Sequence, residues 1–124
     1  MKAWIERQPD GRLTIEIDTK ADPRAQVLYD LLRDVHPEPE FLVDGAEQAR
    51  NPGRITADNE PFFDGDMTLA QVIPDGVVVE NIYTENKVFL SHGDFIDFVE
   101  TYLRLLALRK KEKEGKGGAN GQTE

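Results

Sequence analysis

The side chains of this chain able to do chemistry are few and scattered. His36 stands before a proline and His92 follows Ser91 at the head of an apolar periodic segment. Neither has a second ligand at metal-binding spacing, so each reads as a surface or capping residue. Ser91-His92-Gly93 sets a hydroxyl beside an imidazole in sequence. Neighbours on a helix do not face each other, however, and Ser91 has helix capping to account for it. Asp64-Gly65-Asp66 has the opening of a calcium loop without the later oxygen ligands or closing Glu, and reads as a turn. Cysteine is absent, which excludes thiolate nucleophiles, thiolate metal sites and disulfides. No catalytic group, metal site or cofactor is expected, and the chain does not read as an enzyme.

The composition points the same way. At 124 residues, 39% hydrophobic and 31% charged, the chain suits one core under a solvated surface. Acids outnumber bases 24 to 15, for a net charge of -9, and Arg109, Lys110, Lys111, Lys113 and Lys116 crowd near the C-terminus. The body is therefore more acidic still, which opposes contact with a phosphate backbone and leaves proteins as the expected partners. The opening MKAWIERQPDG is charged early and has no long apolar run. Neither a secretory signal nor a membrane span is expected, and the cytoplasm is the default address.

The elements that must position these residues follow from periodicity. Met1 to Gln8 and Arg12 to Asp18 alternate as two half-buried strands, with Pro9-Asp10-Gly11 as the turn between them. Asp22 is a candidate N-cap with Pro23 at the first helical position, and Val27, Leu28, Leu31, Leu32 and Val35 form one apolar stripe ended at His36-Pro37-Glu38-Pro39. Glu38 to Gly53 is rich in turn residues and predicts loop, with Phe41-Leu42-Val43 as a short strand or an anchor. Arg54 to Ala57 predicts a short strand, and the stretch from Asn59 to Gly76 an irregular crossing anchored by Phe62, Phe63, Leu69, Val72 and Ile73. Val77 to Thr84 is a strand, Lys87 to Leu90 its partner or continuation, and Ser91 caps a helix from His92 to about Arg109. Ile5, Leu13, Ile15, Ile17, Val27, Leu31, Ile55, Leu69, Ile73 and Val79 are the expected core, with the first helix lying across a mixed sheet.

Three segments, MKAWIERQPDGRLTIEID, TKADPRAQVLYDLL and GRITADNEPFFDGDMTLAQVIPDGVVVENIY, in that order resemble ubiquitin-like proteins over about residues 1–84. Arg54-Ile55 is similar to the Arg-Leu that opens the family's third strand, and DGDMTL to its Asp-Gly-x-Thr-Leu turn with one added residue. The resemblance implies an α+β, ubiquitin-like β-grasp domain at residues 1–90 whose first and last strands pair, a C-terminal helix extension at 91–112 and a flexible tail at 113–124. Thr56 and Glu60 depart from the family's apolar recognition residue and its chain-forming lysine, Asn81 falls on the apolar face of the final strand, and a whole helix precedes the tail.

That tail, GKGGANGQTE, carries Gly117-Gly118. The resemblance implies a bacterial-type modifier or carrier whose Gly118 would be exposed by removal of Ala119 to Glu124, then joined through its carboxylate to an activating enzyme. A second reading is a non-covalent β-grasp adaptor. In it the final helix, apolar over more than the ~100° stripe that one core needs, docks a partner or a second copy through Phe98, Tyr102 and Leu106; alternatively the segment from Glu38 to Gly53 covers the excess. A third is an acidic inhibitor or immunity-type protein drawn to a basic enzyme by its charge.

Overall fold

The computed structural model describes residues 3–22 and 24–121, with side chains to Glu112. It is an α+β fold of two antiparallel sheets and three α-helices. Strands β1 (Ala3–Arg7) and β2 (Leu13–Ile17) form the hairpin, with Ile5 opposite Ile15 and Arg7 opposite Leu13. Its turn places Gly11 at φ +88°, where a side chain would strain the backbone, and the carboxylate of Asp10 accepts the Arg12 backbone N–H at 3.0 Å. Helix α1 (Arg24–Val35) begins where Asp22 accepts the backbone N–H of Arg24 at 2.9 Å, an N-cap as expected; Pro23 lies outside the described residues. Val27, Leu28, Leu31, Leu32 and Val35 are all buried, so the stripe read from spacing is the packed face.

The chain then departs from expectation. Glu40–Arg50 is helix α2, not loop, and it buries Leu42, Gly45, Ala46 and Ala49, which recur at helical spacing but are mostly too small to announce a stripe. Small residues are what the site requires: a Cβ on Gly45 would stand 2.7 Å from the Phe62 ring. Residues Pro52–Arg54 form one 3-10 turn and Ile55 is extended without a strand partner, so the strand predicted at Arg54 to Ala57 is absent. Asn59 ties this connection down, its amide donating to Gln48 Oε1 and to the Val72 carbonyl, each at 2.9 Å.

The stretch expected to cross irregularly is instead β3 (Phe63–Asp64) and β4 (Thr68–Ile73), which continue through β5 (Gly76–Asn81) and β6 (Lys87–Leu90) as a meander in the order β3-β4-β5-β6. All ladders are antiparallel, and the hairpin belongs to a sheet of its own, so the mixed sheet joining first and last strands does not form among the described residues. In β4 the expected phase is inverted. Thr68, Ala70 and Val72 face the core, whereas Leu69 and Ile73 lie on the opposite face and are only partly buried. Ile5, Ile15 and Ile55 are also half-buried, while Leu13, Ile17, Val27, Leu31 and Val79 are core as predicted.

Helix α3 (His92–Gly121) starts at Ser91, whose Oγ accepts the Asp94 N–H at 3.0 Å, and its bounds run beyond the 91–112 extension expected from the sequence. Helix α2 packs along it, with Arg50 reaching Glu100 at 2.8 Å, and Phe62 of the later connection meets Phe95 with ring centroids 5.4 Å apart. The hairpin covers α3 from another side, so the apolar surplus of this helix is largely spent inside the chain.

Candidate interaction surface

Tyr102 is buried in the core, with Phe98 and Leu106 half-buried against it, so the three residues expected to bind a partner do not form an open patch. Gly117 and Gly118 fall within the bounds of α3, beyond the described side chains. His92 shares a hydrogen bond of 2.9 Å between its Nε2 and the Ile73 carbonyl, and exposed His36 ends α1. Among the described residues no three His, Cys, Asp or Glu side chains cluster as a metal site, and no helix is long and apolar enough to cross a membrane.

The surface that stands open is the outer face of the meander. Strand alternation puts Leu69, Gln71 and Ile73 on it from β4, Val78 and Glu80 from β5, and Lys87 and Phe89 from β6. Gln71 pairs with Val78 and Val78 with Phe89, so one row crosses three strands, apolar on β5 and β6 and polar on β4. Phe89 is 52% exposed, with its ring lying over Gly76, where a Cβ would sit 2.6 Å from it. Glycine is therefore required there by close approach.

At one end of this sheet the β5–β6 turn carries Ile82, 44% exposed, and Tyr83, 76% exposed. Such exposure invites the expectation of a loose turn, but the bonds say otherwise. Buried Asn81 accepts the Tyr83 and Thr84 backbone N–H groups at 2.9 and 3.1 Å, and its side-chain amide donates to Asp30 of α1 at 3.0 Å. Its backbone N–H meets the Asn86 carbonyl, the Ile82 N–H meets the Met67 carbonyl, and Glu85 takes a positive φ of 63° to close the turn. The residue that spoiled the apolar pattern of the strand is thus the one that organises its end.

Next to it, Asp34 Oδ2 accepts the backbone N–H groups of Met67 and Thr68 at 2.9 and 2.8 Å and the Thr68 hydroxyl at 2.8 Å. Burial pushes the Asp34 carboxyl up, but these bonds outweigh it and hold the group below its ordinary range. Thr68 and Asn81 are paired residues of β4 and β5, and Asp34 and Asp30 are one helical turn apart. Two carboxylates on one helix therefore clamp two facing residues of the sheet. Neither Tyr83 nor the clamp was singled out from sequence; Asn81 on an apolar strand face was the available signal.

The arrangement sets an exposed aromatic, on a turn whose backbone is held by hydrogen bonds, beside a partly apolar sheet face. Comparison of the chain with protein-family models, with curated proteins and with solved structures found no match to any of them.

Proposed function

We propose that this protein is a non-covalent interaction module that docks a protein partner on the outer face of the meander, with Tyr83 and Phe89 as anchors. One observation carries the reading: the most exposed aromatic among the described residues sits on a turn whose backbone is held by the buried Asn81, so the ordering of the turn, though not of the Tyr83 side chain, has been met before binding. Aromatic anchors on a fixed frame are the groups that dominate binding energy at protein interfaces. A photo-crosslinking residue placed at Tyr83 in the native host should trap one discrete partner, and Phe89→Asp should abolish that adduct while the circular dichroism and melting temperature stay unchanged. An unaltered adduct in a folded Phe89→Asp protein would overturn the reading.

A ubiquitin-like modifier activated at Gly118 is the second reading, favoured by the order of hairpin and Asp-capped helix. The separate hairpin sheet and the interposed α2 weigh against a β-grasp, and the bounds of α3 take in both glycines where an activating enzyme would need them extended. Intact mass of protein recovered from its host decides this one: loss of Ala119 to Glu124 with conjugation through Gly118 supports it, and a uniformly full-length, unconjugated chain rejects it. Attraction to a basic partner, as in the inhibitor reading, is compatible with the docking face but adds no observation of its own.

A further inference from the structure

Where the hairpin crosses α1 and α3 it leaves an open groove of about 710 Å3 near its turn, a volume within the range of small-molecule sites. Leu13, Ile15 and Leu32 give it an apolar lining, and Arg33 and His36 of α1, Arg109 of α3 and Arg12 border it. In a chain with 24 acids and 15 bases, arginines should find carboxylates easily. Arg12 does, at 2.7 Å from Asp10. Among the described residues Arg33 and Arg109 make no ion pair. The Arg33 guanidinium lies 5.7 Å from the Tyr29 ring centroid, and Arg109 makes one long hydrogen bond of 3.4 Å to the Leu13 carbonyl.

Tyr102, on the same groove, supplies an independent observation. It is only 6% exposed, yet among the described residues its hydroxyl has no hydrogen-bond partner. No buried side-chain oxygen among the described residues lacks a partner, so the Tyr102 hydroxyl is the part of the side chain that reaches solvent, at the groove wall, where it is free to donate to a ligand. Its burial raises its pKa, with Arg109 opposing, so it is a proton donor at neutral pH. Glu6 and Glu16 also border the groove, but Glu16 accepts the Tyr29 hydroxyl at 3.3 Å and Glu6 the Trp4 indole N–H at 3.1 Å, so neither is paired with Arg33 or Arg109.

We propose that this groove is a binding site for a small organic phosphate, a phosphomonoester on an aromatic or aliphatic body. The apolar lining takes the body, Arg33 and Arg109 take the dianion from opposite helices, and the Tyr102 hydroxyl donates to one of its oxygens. A phosphomonoester fits better than a carboxylate because a dianion gains from both fixed cations and offers three oxygens to donors on two elements. The site is separate from the meander face and stands or falls independently of the docking reading.

Phenyl phosphate is the probe, titrated into the full chain at low salt and followed by 15N-resolved NMR, with phenol and inorganic phosphate as the two halves of the ligand. Saturable binding, shifts at Arg33, Tyr102 and Arg109, and weaker binding of each half are expected. Arg33→Gln and Arg109→Gln should each weaken phenyl phosphate by about tenfold, the effect of losing one charge-assisted bond. Arg33 is exposed, with its guanidinium over the Tyr29 ring. Its variant therefore keeps the test valid even if loss of Arg109 loosens the hairpin. No saturation by about 10 mM, equal affinity for phenol and phenyl phosphate, or unchanged binding by a folded Arg33→Gln protein would each overturn the proposal.

Discussion

Asp34→Ala removes the acceptor of three hydrogen bonds at once. The Met67 and Thr68 N–H groups and the Thr68 hydroxyl, all within 2.9 Å of one carboxylate oxygen, lose it together. A hydrogen bond to a charged acceptor contributes roughly 1.5–3 kcal/mol, but bonds sharing one oxygen do not add. Thr68 is fully buried and cannot turn to water, whereas Met67 is half-exposed and can. The expected loss is therefore about 2–4 kcal/mol, the lower part of the range for breaking a buried network. Urea denaturation, followed by circular dichroism and by fluorescence of the single tryptophan, Trp4, measures it, the midpoint falling with little change in slope. Asp34→Asn keeps one acceptor without the charge and should fall between. The pH dependence supplies a second arm. The folded-state pKa of Asp34 is lowered, so its contribution is present above the unfolded value near 3.8 and is lost as pH falls through the folded one. The gap between wild type and Asp34→Asn should then be constant above about pH 5 and close below pH 4. A loss under about 0.5 kcal/mol for Asp34→Ala, typical of a surface site, would refute the clamp; so would a gap that ignores pH.

Gly45→Val puts branched carbon where a Cβ already meets the Phe62 ring at 2.7 Å, so it should cost about 1–3 kcal/mol by overpacking, read as a lower melting temperature. Gly53→Val, on open space, should not. Asn81→Leu keeps the size of the side chain but removes its bonds to Asp30, Tyr83 and Thr84. It should cost about 1–3 kcal/mol and speed amide hydrogen exchange at Tyr83 and Thr84 more than at Val79.

The sequence discloses an element when its own residues state the pattern. The hairpin alternates, Gly11 sits where a positive φ is needed, Asp22 and Ser91 cap their helices, and five large apolar residues mark the buried stripe of α1. It conceals an element when the pattern is completed from elsewhere. Helix α2 buries glycine and alanines because the volume at its interface is supplied by Phe62, well away in sequence. Strand β4 turns Thr68 inward and Leu69 outward, against hydropathy, because an acid on α1 satisfies the threonine. Once β4 is read in the wrong phase, Leu69 and Ile73 look like core, and the open face that they help to form disappears from view. For the α3 surplus the sequence left an interface and cover by the segment from Glu38 to Gly53 both open, and the segment does lie along α3, as helix α2 and not as a loop.

The two fully enclosed polar residues of the sheet, Thr68 and Asn81, face each other across β4 and β5, and each is met by an aspartate of α1. Apolar residues at both places would pack well enough, and like charges at i and i+4 cost a helix a few tenths of a kcal/mol, roughly 0.2–0.5. What the polar arrangement provides is uniqueness: a one-residue slip of β5 against β4 would strand Asn81 from Asp30 and Thr68 from its partner at once, whereas a wholly apolar ladder would forgive it. The same bonds fix the turn from which Tyr83 projects. Fold specificity and presentation of the docking residue therefore rest on one clamp, and damage to it should weaken partner binding even where Tyr83 and Phe89 themselves are untouched.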